Sequence, residues 1–237
     1  MDREWLDVPF DEKDLAKAAG AKWAWDEKRW YAPNPGVTEL ERWRAKPPIS
    51  SVLAGEDRNF GSGLFVDLVP RTAWFTNVRS CVSKPDWKRI RDMVVSRAGN
   101  RCEICGAEGN IERSVWMEAH ERWEFDDSTR IQRLRRLICL CTPCHTVTHM
   151  GLAQVRGVAY EAVGHLMRTN KWTKTQAEAH ISQAFRMWEM RSQVEWSLDL
   201  SVLEGAGIPV QATPDAAGRR IQADQQTRQI RALGQAQ

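Results

Sequence analysis

Two Cys-x-x-Cys pairs, Cys102-Glu-Ile-Cys105 and Cys141-Thr-Pro-Cys144, stand 35 residues apart in a chain of 237. Thiolates two residues apart on a tight turn grip one tetrahedral ion from the same side. A second such pair completes four ligands and leaves no open position, so the four sulfurs knit a scaffold around one zinc ion. Gly106 follows the first pair and fits the sharp turn a knuckle of this kind needs. The alternative use of paired cysteines, disulfides, depends on the compartment. No run of about eighteen apolar residues suggests a membrane span, and the start (Met1, Asp2, Arg3, Glu4, Trp5) lacks the apolar core of a signal peptide. A cytoplasmic chain is therefore expected, where thiols stay reduced and bind metal. Cys81 and Cys139 have no comparable partners. Cys139 lies in the apolar run Leu137-Ile138-Cys139-Leu140 and is expected in the core.

Three of the five histidines lie in or beside the same segment. If Pro143 opens a helix, as its fixed φ favours, His145 and His149 share one face and can hold a second metal together. His120 belongs to a strand upstream, in Trp116-Met117-Glu118-Ala119-His120-Glu121-Arg122-Trp123. His165 and His180 stand on amphipathic helices without metal-ligand spacing and are expected to be structural. Glu121, Glu124, Asp126 and Asp127 form an acidic patch, which suits a solvated turn, a set of carboxylates orienting the histidines, or part of a cation site.

Net charge is only +3, so the distribution of charge decides whether a polyanion is a fitting partner. Lys88, Arg89 and Arg91 crowd one helix before the first knuckle, followed by Arg97 and Arg101. Arg130, Arg133, Arg135 and Arg136 form a second cluster just ahead of Leu137. Such groups contact phosphates and give affinity without sequence choice. The chain also has twelve tryptophans against two tyrosines, flat side chains suited to cores, interfaces and stacking. Trp23, Trp25, Trp30 and Tyr31, with Lys22, Lys28 and Arg29, could stack bases and hold phosphates. A unit so small also needs tryptophans as core, and the two roles could be divided between the hairpin faces.

With 42% hydrophobic and 27% charged residues, full disorder and fibrous repeats are excluded. Residues 1–34 read as a small tryptophan-rich α/β-hairpin module. It has a helix N-capped by Asp11 and stopped by Gly20, then strands around Trp23 and Trp30 separated by Asp26-Glu27-Lys28. Residues 35–84 read as linker, with strands from Phe65, Val66, Leu68, Val69, Trp74 and Phe75 packing on the next domain. A helix over 86–97, with Trp87, Ile90, Met93 and Val94 on one face, opens the cysteine-rich domain, 85–151. Two helices form an extension over 152–205, the second capped by Thr173 and Gln176, and Trp196–Leu200 alternates like a strand. These helices could brace the metal domain, cover it, or form a homodimer interface. Residues 206–237 are poor in large apolar side chains and read as a disordered tail.

Arg101-Cys-Glu-Ile-Cys105-Gly106, Met117-Glu-Ala-His120 and Leu140-Cys141-Thr-Pro-Cys144-His145 with His149 together resemble the zinc-ribbed branch of the HNH endonucleases, over residues 85–150. The resemblance implies an α+β chain with a ββα-metal (treble-clef) core. In it a structural zinc (Zn2+) held by four cysteines braces two strands and a helix that grip a catalytic divalent cation, Mg2+, Mn2+, Ni2+ or Zn2+. It further implies metal-dependent hydrolysis of DNA phosphodiester bonds. Carried over by position, His145 is a metal ligand, His120 occupies the first motif position, and His149 is a third ligand. This chain has His120-Glu121 where many members carry two consecutive histidines, so either His120 is the base or Glu121 takes that place. Arg136 stands where the middle asparagine is expected. The competing expectations are a zinc-ribbed nucleic-acid-binding protein that kept the fold without catalysis, and a protein-binding adaptor recruiting partners through its tryptophans. The segment from Val8 to Pro33 is similar to a small domain of unknown function that recurs beside primases and helicases of plasmids and mobile elements. That likeness implies a mobile-element or phage-defence setting.

Overall fold

In the computed structural model, which describes residues 3–46, 48–74, 76–211 and 218, two separate three-stranded sheets are joined to eight α-helices. The chain is α+β. The first sheet holds β1 (Glu4–Leu6), β2 (Lys22–Ala24) and β3 (Arg29–Ala32), in the order β1-β3-β2 and antiparallel throughout, with α1 (Lys13–Ala18) packed on it. Gly20, at φ +99°, turns the chain out of α1, and Lys28, at φ +50°, closes the β2–β3 hairpin. Trp5 faces Tyr31 across β1 and β3, and Trp23 faces Trp30 across β2 and β3.

Two expectations for this unit need correction. Asp11 does not cap α1: a short 3-10 turn, Phe10–Glu12, precedes the helix, and the Asp11 carboxylate accepts a bond from Lys84 Nζ at 3.2 Å instead. Nor does the unit end at residue 34. A second 3-10 turn, Thr38–Trp43, sends Leu40 and Trp43 into the same core as Leu6, Ala16 and Ala32. The amide of Asp7 donates to Trp43 O at 2.7 Å and that of Ala45 to Trp5 O at 2.8 Å, so the packing continues to Ala45.

Among the described residues between 46 and 77 no strand forms, contrary to expectation. Phe75 lies outside the described residues. Val66 is buried, as expected, and so is Leu64, which the sequence did not single out, but their backbone groups find partners on helices rather than on a neighbouring strand. Val66 N donates to His180 Nε2 at 3.0 Å, Asp67 N to Thr148 O at 3.0 Å, and Leu64 O accepts from Asn170 Nδ2 at 2.7 Å. Buried peptide groups must be satisfied, and here the helices already supply the partners.

A short helix, α2 (Val78–Cys81), leads into α3 (Lys84–Arg97), where Ser83 Oγ accepts from Asp86 N and Pro85 occupies the first turn. Then come β4 (Met117–Asp126) and β5 (Ile131–Cys141), a long antiparallel hairpin paired from Met117–Cys141 to Asp126–Ile131, with a bulge between Arg122 and Trp123. Four helices follow: α4 (Thr142–Thr148), α5 (Met150–Val155), α6 (Ala159–Asn170) and α7 (Lys174–Arg191). β6 (Ser197–Asp199) adds to β5 in parallel, and α8 (Ser201–Glu204) closes the hairpin's outer side.

The hairpin separates two apolar layers. Leu134, Leu137 and Cys139 face Ile90 and Val94 of α3, together with Leu203 of α8. Ile138 and Leu140, pointing the other way, join Val147 of α4, Leu166 of α6 and three of the paired cysteines. The end of β5 is thus buried on both faces, which is why its sequence there is continuously apolar instead of alternating. Ala162 and Leu166 of α6 and Ala177 of α7 are buried in the second layer, so these helices brace the cysteine-rich domain. The start of the expected tail is also packed: Ile208 is buried, and Gln211 N donates to Cys81 O at 2.7 Å. Of the remainder of that tail only Gly218 is among the described residues. No described helix is long and apolar enough to cross a membrane.

Candidate metal centres

The first knuckle is a tight loop in which Gly106 N donates to Cys102 O and Cys102 N to Ala107 O, each at 2.9 Å. Gly106 sits at φ +73°, a conformation that costs other residues about 1–2 kcal/mol. Glu103 N donates to Cys139 O at 2.9 Å and the Glu103 carboxylate accepts from Cys139 N at 2.7 Å, stitching the knuckle to β5. The second pair straddles the junction of β5 and α4, with Pro143 in the first helical turn. The sulfurs of Cys102, Cys105, Cys141 and Cys144 all lie within 4.8 Å of one another, and Cys105 and Cys141 approach to 3.5 Å. Thiols this crowded cannot all ionise unaided. The neighbouring sulfhydryls of Cys141 and Cys144 hold Cys102 far below the usual thiol range, while the Cys102 sulfur pushes Cys141 up to about 12. A bound cation removes that conflict, and an all-thiolate set of four suits structural Zn2+. Cys81 and Cys139 are both fully buried core residues.

The second cluster lies immediately beyond. His120 projects from β4, His145 from α4, and His149 ends that helix. Ring centroids are 5.3 Å apart for His120–His145, 5.0 Å for His120–His149 and 4.5 Å for His145–His149. One ring nitrogen from each falls within 4.8 Å of the others, and the Nε2 atoms of His145 and His149 are 3.1 Å apart. His120 Nε2 is buried without a hydrogen-bond partner; its nearest anion, Asp67 Oδ2, is 3.8 Å away and beyond bonding distance. Burial lowers the pKa of His120 to about 4 and of His149 to about 3, so both rings are neutral at ordinary pH and keep a lone pair to donate. A buried nitrogen without a partner, facing two further imidazoles, fits a divalent cation.

Three side chains not singled out in the sequence support this cluster. Glu118 Oε2 lies 3.1 Å from His145 Nδ1, which fixes that ring's tautomer and leaves Nε2 as the lone-pair nitrogen. Asp67 faces His120 and binds Arg122 Nη1 at 3.1 Å. Although burial opposes its charge, the fully buried Arg122 guanidinium beside it holds Asp67 below the usual carboxylate range. Glu118 was legible in principle, since it stands two residues before His120 and shares its strand face. Asp67 comes from an irregular segment and had no spacing signal. His165, expected to be structural, has Nε2 only 3.1 Å from Cys144 Sγ and belongs to the surroundings of the cysteine cluster. His180 is structural, as expected, accepting the Val66 amide.

Glu121 lines the same cleft of about 680 Å³ as His120, His145, His149 and Asp67. Its Oε1 accepts from Val78 N at 3.1 Å, and burial raises its pKa to about 7. The rest of the acidic patch is structural. Glu124 pairs with Arg133 and Arg135, Asp126 accepts from Ser128 and Thr129 within the turn, and Asp127 binds Arg191.

The basic residues divide. Arg136 does not reach the histidines or the surface: it is buried, with Nη2 3.1 Å from Glu103 Oε1 and Nη1 bonded to Phe60 O. Its expected phosphate contact is corrected accordingly. Arg133 pairs with Asp199 at 2.7 Å and Arg135 with Glu124 at 3.0 Å and Asp57 at 3.3 Å, so these two are bound to carboxylates of the fold, whereas Arg130 is exposed. On α3, Arg89 is held by Asp86 at 2.8 Å, whereas Lys88 and Arg91 are exposed. Trp25 is 84% exposed, while Trp30 is partly buried against the N-terminal core.

Residues 3–44 match a family described as "Domain of unknown function (DUF5710)". Over 44 residues the chain is 49% identical to a DNA primase TraC of Escherichia coli, and over 43 residues 44% identical to a second DNA primase TraC of that organism. Each stretch covers 18% of this chain but only 4% of the first primase and 3% of the second. The matched span coincides with the three-stranded N-terminal unit, including the 3-10 turn that carries Leu40 and Trp43. No solved structure matches the chain.

Proposed function

We propose that this chain is a metal-dependent HNH-type endonuclease that hydrolyses DNA phosphodiester bonds, with a ββα-metal core formed by β4, β5 and α4 and a four-cysteine zinc site beside it. The observation that carries this proposal is the convergence of His120, His145 and His149 around the unpartnered His120 Nε2, with His145 directly after the second cysteine pair. The likeness of the N-terminal unit to part of two DNA primases supports DNA as the polymer acted on.

A divalent cation held by the three imidazoles would supply Lewis-acid stabilisation of the charge that builds on a phosphate oxygen and on the leaving 3′ oxygen. The residues of the chain do the rest. Glu118 keeps the Nε2 lone pair of His145 turned inward. Asp67 and Arg122 form a buried ion pair behind His120 that holds the loop against β4. Glu121 takes the proton of the water whose oxygen forms the new bond to phosphorus as the P–O3′ bond breaks. Its place on the wall of the same cleft as the histidines is what recommends it over His120, whose buried ring is better placed as a ligand.

Plasmid nicking with Mg2+, Mn2+, Ni2+ or Zn2+ tests this directly. Wild type is expected to nick, and His120→Ala, His145→Ala and Glu121→Gln to lose nicking, with Glu121→Gln keeping its metal content. Elemental analysis should find one tightly held zinc and one exchangeable cation. Cleavage that survives both histidine substitutions removes the assignment. A second reading, a zinc-ribbed DNA-binding protein without catalysis, is favoured by one observation: Arg136, at the position of the expected asparagine, turns to Glu103 and away from the histidines. Salt-dependent DNA binding with no nicking under any of the four metals would select it.

A further inference from the structure

A second cleft, of about 1220 Å³, opens where the N-terminal unit meets α3, and it shares no lining residue with the histidine cleft. Nine of its lining residues are Lys or Arg and only two are acidic, Asp7 and Asp92. Three indoles, Trp23, Trp25 and Trp30, line the same space together with Phe10. Trp23 stands edge-on between the other two, 5.3 Å from Trp30 and 6.3 Å from Trp25. Trp25 and Phe10 are more than four-fifths exposed, at 84% and 82%, which leaves most of each ring in water.

Six of the nine cations fall into two kinds. Lys46, Arg89 and Arg97 are committed to buried carboxylates, Asp86 and Glu56, and hold the walls together. Lys17, Lys84 and Lys88 are paired only with exposed acids, Asp14, Asp11 and Asp92. Solvent-exposed pairs of this sort contribute little and exchange readily for a stronger anion. Lys28 sits at the tip of the β2–β3 turn, next to the indoles. Aromatic faces interleaved with exchangeable cations recognise a ligand that carries both π faces and a regular negative charge. A duplex hides its base faces in the stack, and an acidic peptide has none to offer.

We propose that this cleft binds single-stranded nucleic acid, with bases stacked on Trp25 and its neighbours and phosphates held by Lys28, Lys84 and Lys88. The site stands apart from the histidine cleft and does not depend on catalysis there. The test is fluorescence anisotropy of labelled oligo(dT) and oligo(rU) with the full chain, using unlabelled duplex of equal length and heparin as competitors. Both single strands, or one of them, are expected to bind, and the ratio between them identifies the sugar preferred. Duplex and heparin should compete poorly. Trp25→Ala, an exposed position where folding is not at stake, should weaken binding about tenfold and remove most of the quenching of intrinsic tryptophan fluorescence. Lys28→Gln with Lys88→Gln should reduce the salt dependence, by about 0.7 in logarithmic slope for each phosphate no longer held. His145→Ala, which disables the proposed nuclease site, should bind like wild type. The proposal is overturned if neither oligonucleotide binds, if heparin displaces them as well as single strands do while Trp25→Ala changes nothing, or if His145→Ala abolishes binding that Trp25→Ala retains.

Discussion

His145 owes its pose to a neighbour outside the histidine cluster, and that is where single substitutions should be read first. Glu118 lies behind the ring and not in front of it; it holds His145 Nδ1 at 3.1 Å and so decides which nitrogen faces inward. Replacing a carboxylate that orients a metal-bound imidazole typically costs 10- to 100-fold in affinity, so Glu118→Gln is expected to weaken the exchangeable cation by about that factor. Isothermal titration with Mn2+ measures it, and the tightly held zinc should be unaffected. Asp86 is a second residue whose surroundings fix its charge. Burial opposes ionisation, but Lys46, Ser83 and Arg89 together hold the carboxyl below the ordinary aspartate value of 3.8. A depressed carboxyl stabilises the fold fully above its unfolded pKa and loses that contribution as pH falls through the lower, folded value. Asp86→Asn is therefore expected to cost about 3 kcal/mol at neutral pH, because it removes the buried carboxylate that Lys46 and Arg89 share. The gap to wild type should close on acidification, as followed by urea unfolding at successive pH values. An unchanged gap in strong acid would show that packing, and not charge, sets the loss.

At the scale of elements, the β4–β5 hairpin is the organising piece, because its two faces do different work. Even-numbered residues of β4, namely Glu118, His120 and Arg122, face the histidine cluster and Asp67, while Trp123, past the bulge, turns to the α3 core. The arginines of β5 are spent on carboxylates of neighbouring segments, and this ties Asp57, Glu103 and Asp199 to one strand. α7 contributes differently, as a long brace whose start is set by local chemistry. Thr173 and Gln176 form a reciprocal capping box. Thr173→Ala should lower stability by about 1 kcal/mol, seen as a reduced melting temperature, with metal content and nicking unchanged.

For the molecule as a whole, the three apolar clusters make separable claims. Cys102, Cys141 and Cys144 belong to the same core as Val147, Ala162 and Leu166, whereas the N-terminal core contains none of them. Structural zinc is worth ~10–16 kcal/mol in small domains, as much as the whole stability of many proteins. Stripping zinc with a strong chelator is therefore expected to loosen 101–177 while leaving 3–45 folded. Hydrogen exchange followed by mass spectrometry resolves the two regions, and equal deprotection of both would show that the N-terminal unit depends on the metal core.

The amino-acid sequence alone determined what local rules can encode. Cysteine spacing named the four sulfurs, Pro143 and the i, i+4 spacing put His145 and His149 on one helix face, and Thr173 with Gln176 marked the start of α7. These signals survive because their physics acts within one or two turns of chain. Tertiary structure alone decided the rest. It brought Asp67 to His120, turned Arg136 inward to Glu103, satisfied the 64–67 backbone from α4, α6 and α7 instead of a strand, and drew Leu40 and Trp43 into the N-terminal core. For Asp67, Arg136 and the 64–67 backbone the deciding energy is the cost of burying a charge or a peptide group without a partner, and for Leu40 and Trp43 it is the removal of apolar surface from water. Which partner is within reach depends on segments tens of residues away, and no local pattern records that.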